Sequence, residues 1–361
     1  MGLVGLPNVG KTTIFNALTN AKALVGNYPF CTIEPNMGMV NVLDGNLEVL
    51  ARMYKPIKIV PTTIEFVDIA GLVKGASKGQ GLGNQFLSHI RSVDLVVYVL
   101  RAFEEPSVVS MEGNANPVSD YETIETELVL SDLDIIERRI EKVKKLSRVG
   151  VGEKKEEEKI LQVIIDVLSK GSGVKAIDQL SRHIRREVKH FGLLSLKPGL
   201  ILLNCSEKDI PIVGRDVAMH ISKLKDKGLP VLEFCGKLEA ELSQLELDES
   251  RQWVEDLGLK KSGLERLVSL SYTLLGLITF YTTRNKEIRA WTIEEGTSAR
   301  EAAGKIHSDF ERGFIKAEII RLEDLVHLGS EQAVKEHGLL RFEGKGYSIK
   351  QEDVVTFRFN V

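Results

Sequence analysis

Eight residues near the start of the chain, Gly5-Leu6-Pro7-Asn8-Val9-Gly10-Lys11-Thr12, limit the fold more than any other stretch. They match G-x-x-x-x-G-K-[ST] in the context that pattern needs. The apolar segment Leu3–Leu6 reads as a strand before it, and Thr13 to Thr19 reads as a helix after it. The two glycines permit backbone angles that turn several N–H groups toward one point, where phosphate oxygens are bound. The start of the helix adds partial positive charge there. In that geometry Lys11 reaches the β- and γ-phosphates, and the Thr12 hydroxyl is placed to ligate Mg2+.

Two further pieces belong with this one. Asp68-Ile69-Ala70-Gly71 is a D-x-x-G at the end of a buried apolar run, Ile64–Ile69. It is a weak motif alone. Downstream of a phosphate loop it supplies a carboxylate for Mg2+ and, at Gly71, an amide that senses a γ-phosphate. Thr32, in the loop from Pro29 to Pro35, is the threonine that can close over the metal. Gly71 is followed by Leu72, where many nucleotide switches have a water-orienting Gln. Slow intrinsic hydrolysis, or a water-positioning group supplied from elsewhere, is expected. Beyond the later apolar run Gly199–Asn204 comes Asn204-Cys205-Ser206-Glu207, where a guanine site would read N-K-x-D. Cys205 replaces the lysine and the longer Glu207 replaces the aspartate. A site built to reward a guanine edge loses that reward when its carboxylate moves, so adenine becomes acceptable.

The apolar runs Leu3–Leu6, Ile64–Ile69, Leu95–Leu100, Gly199–Asn204 and Val231–Phe234 alternate with helical stretches, as in a doubly wound α/β domain. Between the third and fourth lies a different pattern. Val129, Leu133, Ile136, Ile140 and Val143 form a heptad seam, followed by Ile160, Ile164, Val167 and Leu168, and then by Ile177, Leu180, Ile184, Val188 and Phe191. The charged run Glu153 to Lys159 reads as part of the turn between the first two. Residues 131–200 hold 16 Lys/Arg against 11 Asp/Glu in a chain whose net charge is −3. After residue 276 the strand candidates Leu277–Thr282, Arg289–Ile293, Ile315–Ile320, Gly346–Ile349 and Val354–Phe359 surround short helices, which predicts a small α+β domain. The reading is therefore a nucleotide domain over 1–121 and 198–276, a helical insert over 122–197 and a C-terminal domain over 277–361.

Composition excludes several classes. With 43% hydrophobic and 27% charged residues, the chain of 361 is neither disordered nor uniformly basic. No apolar run approaches the roughly 18 residues of a membrane span, and no secretory signal is expected. The three cysteines read as reduced thiols of a cytoplasmic protein. Without C-x-x-C or H-E-x-x-H spacing, zinc is not expected.

The ordered segments Gly5-Leu6-Pro7-Asn8-Val9-Gly10-Lys11, Tyr28-Pro29-Phe30, Asp68-Ile69-Ala70-Gly71-Leu72-Val73-Lys74-Gly75-Ala76, Gly81-Leu82-Gly83-Asn84, Asn204-x-x-Glu207, Leu277-Ile278-Thr279-Phe280, Arg289-Ala290-Trp291-Thr292 and Arg358-Phe359-Asn360-Val361 resemble the YchF/Obg-like ATPase family from end to end. The resemblance implies a Ras-like P-loop domain, a helical coiled-coil insert and a C-terminal TGS domain with a β-grasp core. It implies a Mg2+-dependent hydrolase using ATP, with GTP also accepted, and association with ribosomal RNA or protein through the insert and the TGS domain. By motif, Asn8, Val9, Gly10, Lys11, Thr12 and Thr13 would contact the nucleotide, with Lys11, Thr32, Asp68 and Gly71 in the catalytic set. Thr12, Thr32 and Asp68 would serve the metal. Asn204 and Cys205 would contact the base, the latter through its backbone, and Glu207 would shape specificity. Many members carry a His in the loop before the insert, where this chain has Ser110. A nucleotide-sensing module that barely hydrolyses is the alternative. A small-molecule kinase would share the phosphate loop but not the Thr32 and Asp68-x-x-Gly71 pair.

Overall fold

The computed structural model describes residues 1–20, 36–69, 82–104, 116–147, 152–170, 181, 184, 191–284 and 286–360. Thr32, Cys31, Gly71, Leu72 and Ser110 lie outside the described residues, as does most of the third helical set of the insert. Among the described residues the strands, in chain order, are β1 (Gly2–Val4), β2 (Met37–Asn41), β3 (Lys58–Val60), β4 (Thr63–Asp68), β5 (Val96–Arg101), β6 (Gly199–Asn204), β7 (Val231–Phe234), β8 (Leu277–Thr282), β9 (Glu287–Glu294), β10 (Phe314–Arg321), β11 (Arg341–Glu343) and β12 (Asp353–Phe359). The chain divides into two compact units, Met1–Met39 with Glu65–Leu267, and Val40–Ile64 with Val268–Val361.

The first unit is built on a sheet of order β2-β4-β1-β5-β6-β7. From β4 through β7 every neighbouring pair is parallel. All residues of β5 and β6 are buried, which explains why both read as unbroken apolar runs. The expected strands at Gly199–Asn204 and Val231–Phe234 hold to the residue, and the others to within two or three. Helix Lys11–Asn20 follows β1 and buries Ile14, Ala17 and Leu18, a single face at helical spacing.

The insert leaves the sheet after β5 and returns at β6, its parallel neighbour. It opens with a 31-residue helix, Pro117–Ser147, with proline at its first position, where no N–H is needed. Helix Gly152–Leu168 packs on it. Val129, Ile136, Ile140 and Val143 are buried against Leu161, Ile164 and Leu168, so the heptad seam is the core of this region. The charged run 153–159 is helix, not turn. Glu and Lys are good helix formers, and Glu157 accepts two hydrogen bonds from Arg139 on the facing helix, at 2.7 and 2.8 Å.

Asp132, fully buried, fastens the returning chain. Its carboxylate accepts Leu194 N–H at 2.9 Å, Ser195 N–H at 2.8 Å and the Ser195 hydroxyl at 2.7 Å. Burial raises its pKa, and the three donors pull the other way.

The second unit has a sheet of order β11-β10-β12-β8-β9-β3. The pairs β8–β9, β10–β12 and β10–β11 are antiparallel, whereas β12–β8 and β3–β9 are parallel. One face carries Phe280, Ile319 and Phe357 against Ala299, Ala302 and Ala303 of helix Ala299–Ile306, which starts in a Ser298/Glu301 capping box. The other face carries Tyr281, Ile288, Ile320 and Val354 against Leu47 and Leu50 of helix Gly45–Tyr54. The α+β expectation holds, with one strand to correct. Gly346–Ile349 is not a strand: its backbone closes a turn at Gly344 (Tyr347 N–H to Gly344 O, 3.1 Å) and then bonds to the loop at Thr297 and Ala299. The neighbouring strand is β11, which begins five residues before the expected one.

Replacing Asp132 by Ala leaves two buried N–H groups and a hydroxyl unpaired. Urea unfolding should show a loss of about 3 kcal/mol, with Asp132→Asn intermediate. A loss below about 0.5 kcal/mol, the range of ordinary surface substitutions, would mean the carboxylate is not holding the insert's return.

Candidate functional site

The phosphate loop joins β1 to helix Lys11–Asn20. Asn8 and Gly10 both have left-handed backbones, at φ 63° and 89°. Asparagine tolerates this conformation, and at Gly10 a side chain is also excluded by space. A Cβ there would overlap the amide nitrogen of Asn204. At Gly5 a Cβ would come within 2.6 Å of Val99 O, so the loop lies directly on β5.

Lys11, Thr12 and Asp68 form one cluster. Parallel pairing of Leu3 with Asp68 brings the end of β4 beside the start of the loop. The Lys11 ammonium donates to Asp68 Oδ1 and to Ile69 O. Thr12 Oγ1 stands 3.5 Å from Asp68 Oδ2. The Lys11 and Asp68 side chains are only 11% and 10% exposed, so this charge pair is poorly screened by water. The Thr12 and Thr13 side chains are exposed, and Val9 is buried.

Asn204, buried at the end of β6, connects the loop to the region behind it. Its Nδ2 donates to Val9 O at 2.9 Å, and its Oδ1 accepts Gly236 N–H at 2.9 Å. Both ends of the amide are thus engaged within the protein. Cys205 N–H bonds to Phe234 O at 2.7 Å, setting the two strand ends side by side. Burial pushes the Cys205 thiol up to about 12 and raises Cys235 as well, so both stay protonated and serve as small packing residues.

Glu207 opens a single 3-10 turn, Glu207–Asp209, and is exposed. Asp209, two residues on, is buried and structural. It accepts the Ser206 hydroxyl at 2.8 Å and Gly214 N–H at 3.3 Å, fixing the turn that carries Glu207. Across the site, Lys237 in the first turn of helix Gly236–Leu242 lies 3.0 Å from Glu207 Oε1.

The sequence pattern thus brings Asn8 to Thr13 and Asp68 into one place, and Asn204, Cys205 and Glu207 into an adjoining one. Thr32 and Gly71 lie outside the described residues. Two contributors escaped sequence reasoning. Nothing local in the sequence marks Lys237 as facing Glu207. Glu239 has no sequence signal, because an acidic residue in an amphipathic helix ordinarily faces water. It is instead buried, accepting Gly263 N–H at 2.6 Å and Leu264 N–H at 3.2 Å at the start of helix Gly263–Leu274. Burial raises its pKa to about 7.

The donor set suits a hard cation. A hydroxyl and a carboxylate are the ligands Mg2+ takes when water and phosphate oxygens complete its shell. No cluster of three or more His, Cys, Asp or Glu occurs among the described residues, so an all-protein metal cage is absent from them. Nor is any helix among them long and apolar enough to cross a membrane.

Asn204→Ala strands Val9 O and Gly236 N–H, and should cost about 2–4 kcal/mol in chemical unfolding; a neutral result removes the bridge from the account. For Glu239, the folded pKa lies above the unfolded value of 4.5, so its protonated form stabilises the fold at low pH. That contribution fades as pH rises through about 7. Relative to Glu239→Gln, the unsubstituted protein should lose about 2 kcal/mol between pH 5 and 8, and a flat difference would contradict the burial.

Comparison with known proteins extends the match to the whole chain. Residues 1–132 match a model described as 50S ribosome-binding GTPase. Residues 277–360 match the YchF-GTPase C-terminal model, described as a protein of unknown function. Proteins named ribosome-binding ATPase YchF are 44% identical in Bacillus subtilis and 46% in Mycoplasma genitalium, covering 100% of this chain and 99% of theirs. The solved Schizosaccharomyces pombe YchF GTPase is 33% identical and superposes with a TM-score of 0.90 over 99% of this chain and 97% of that one. With sequence, both domain models and fold in agreement along its length, the chain belongs to the YchF family.

Proposed function

We propose that this protein is a Mg2+-dependent nucleoside triphosphatase that uses ATP, accepts GTP and works as a ribosome-associated switch in the cytoplasm. The observation that carries the reading is the Lys11–Thr12–Asp68 cluster at the mouth of a loop whose Asn8 and Gly10 are left-handed. The loop's amides and Lys11 neutralise the phosphates. Thr12 and Asp68, with Thr32 by motif, would hold Mg2+, which supplies charge stabilisation on the transferring phosphoryl group when bound. Little covalent chemistry is asked of the protein, so catalysis rests on positioning and charge. Lys11 starts from an ion pair with Asp68; turning it to phosphate would exchange one anion for another and leave the Asp68 carboxylate free to help hold Mg2+. Gly71 would report the γ-phosphate by its backbone amide.

The base site supports ATP. Asn204 has both ends of its amide occupied by Val9 and Gly236, so its part is to hold the loop and the base region together. Cys205 offers backbone to the base, and Glu207 stands where a guanine reader would need Asp. Relatives named for ATP, and one named for GTP, fit a site that admits both.

The relatives' names also support the ribosome as partner. Arg138, Lys142 and Lys145 on the exposed side of helix Pro117–Ser147 offer cations for RNA phosphates. The second unit's sheet, with helix Ala299–Ile306 across one face, supports the β-grasp TGS reading.

Leu72 has no polar group to orient water, and Ser110 stands where many members carry His, which favours a second reading: a nucleotide sensor with negligible turnover of its own. Turnover measured with and without ribosomes separates the two. In calorimetry with Mg2+, ATP should bind at least as tightly as GTP. Lys11→Ala should lower hydrolysis by about 100-fold or more. A Lys11→Ala protein with normal turnover would overturn the site, and much tighter GTP binding would overturn the base assignment.

A further inference from the structure

Of the charged groups around the base region, one pairs with the residue assigned to specificity. Glu207 and Lys237 arrive from different strands' ends, one on the turn after β6 and the other on the helix after β7. Their side chains meet at 3.0 Å, Nζ to Oε1. Lys237 occupies the first turn of its helix, where the helix dipole disfavours a cation, so the contact with Glu207 offsets an unfavourable placement. Asp209 anchors the turn that carries Glu207, through Ser206 and Gly214, which keeps the carboxylate within reach of Lys237.

We infer that Lys237 is a specificity-determining residue that withholds the Glu207 carboxylate from the guanine edge. This rests on the nucleotide-site reading above and deepens it. Guanine presents two adjacent N–H donors, on N1 and N2, and a carboxylate rewards them only if its oxygens are free to accept. An oxygen already accepting from an ammonium accepts a further donor at the cost of weakening that pair. Adenine presents only the N6 donor beside the N1 acceptor on that edge, so it gains less from a free carboxylate and loses less when the carboxylate is occupied. The side chains are 72% and 47% exposed, so the pair is water-screened and its effect is a matter of small factors. Lys237 thereby levels the two nucleotides without excluding either.

The test is a binding cycle on the full chain, using ATP and GTP with Mg2+ in calorimetry. Lys237→Met keeps the length of the side chain and removes its charge. It should raise GTP affinity relative to ATP by about two- to five-fold, the size expected of a screened ion pair. Adding Glu207→Gln to Lys237→Met should abolish that gain. Raising salt should move the unsubstituted protein's ratio toward GTP by weakening the pair, and leave the Lys237→Met ratio less affected. If the ratio is unchanged in Lys237→Met, or the gain persists without the Glu207 carboxylate, the inference is wrong while the nucleotide site stands. If the unsubstituted protein binds neither nucleotide, the function reading falls and takes the inference with it. Thermal melting of each variant checks that the fold is intact, as expected for two exposed positions.

Discussion

The side-chain amide of Asn204 is the contact on which the site depends. A phosphate loop is a run of backbone in left-handed and turning conformations, with its N–H groups turned toward a ligand and few internal bonds of its own. Something outside the loop must hold it. Asn204 does so with one rigid planar group, donating to Val9 O and accepting from Gly236 N–H. It also occupies the space where a side chain at position 10 would stand. The requirement for glycine there therefore has two sources, the positive φ and the amide beside it. A buried amide with both ends paired is rigid because losing either bond leaves an unpaired polar group away from water.

The charged groups of the site follow a related logic at two depths. Lys11 and Asp68 meet where both are nearly inaccessible, so their interaction is strong and each is costly to leave alone. Any ligand that draws Lys11 away has to compensate it, which triphosphate oxygens and a divalent cation together can do. Glu207 and Lys237 meet in the open, where water keeps the interaction weak and adjustable. Under the proposed function, a poorly screened pair would stand at the phosphates and a screened pair at the base, matching the two tasks of a nucleotide site. The phosphate end must be held firmly, and the base end only sorted.

The legible parts of this structure are those whose residues are neighbours in sequence or repeat at a fixed period. The phosphate loop is contiguous. Asp68 is marked by the end of an apolar run. The heptad seam of the insert is a period, and its residues form the region's core. Burial on both faces made β5 and β6 readable to within a residue. What escaped depends on distant partners. Strand β3 has three residues, with Ile57 just before it 82% exposed and Ile59 45% exposed, so no alternation marks it. It exists because Glu287 to Arg289 lie alongside. Gly346–Ile349 has strand-like residues but spends its backbone bonds on a turn and a loop. Asn204 was visible as a motif residue, yet its bonds to Val9 and Gly236 are invisible until the strands are placed.

The compact unit that holds the C-terminal strands also holds Val40–Ile64, and this has a consequence for the order in which the chain can fold. Helix Gly45–Tyr54 puts Leu47 and Leu50 into a core with Tyr281, Ile288 and Val354. Strand β3 has its ladder partner more than two hundred residues later. As the polypeptide emerges from synthesis, this early segment has apolar side chains and an unpaired strand whose partners do not yet exist. It must wait, solvated or shielded, until the strands from β8 to β12 are available. A fragment ending before residue 277 would carry that waiting surface permanently. The second unit is thus assembled from two segments far apart in sequence, and it is complete only once β12 has been made.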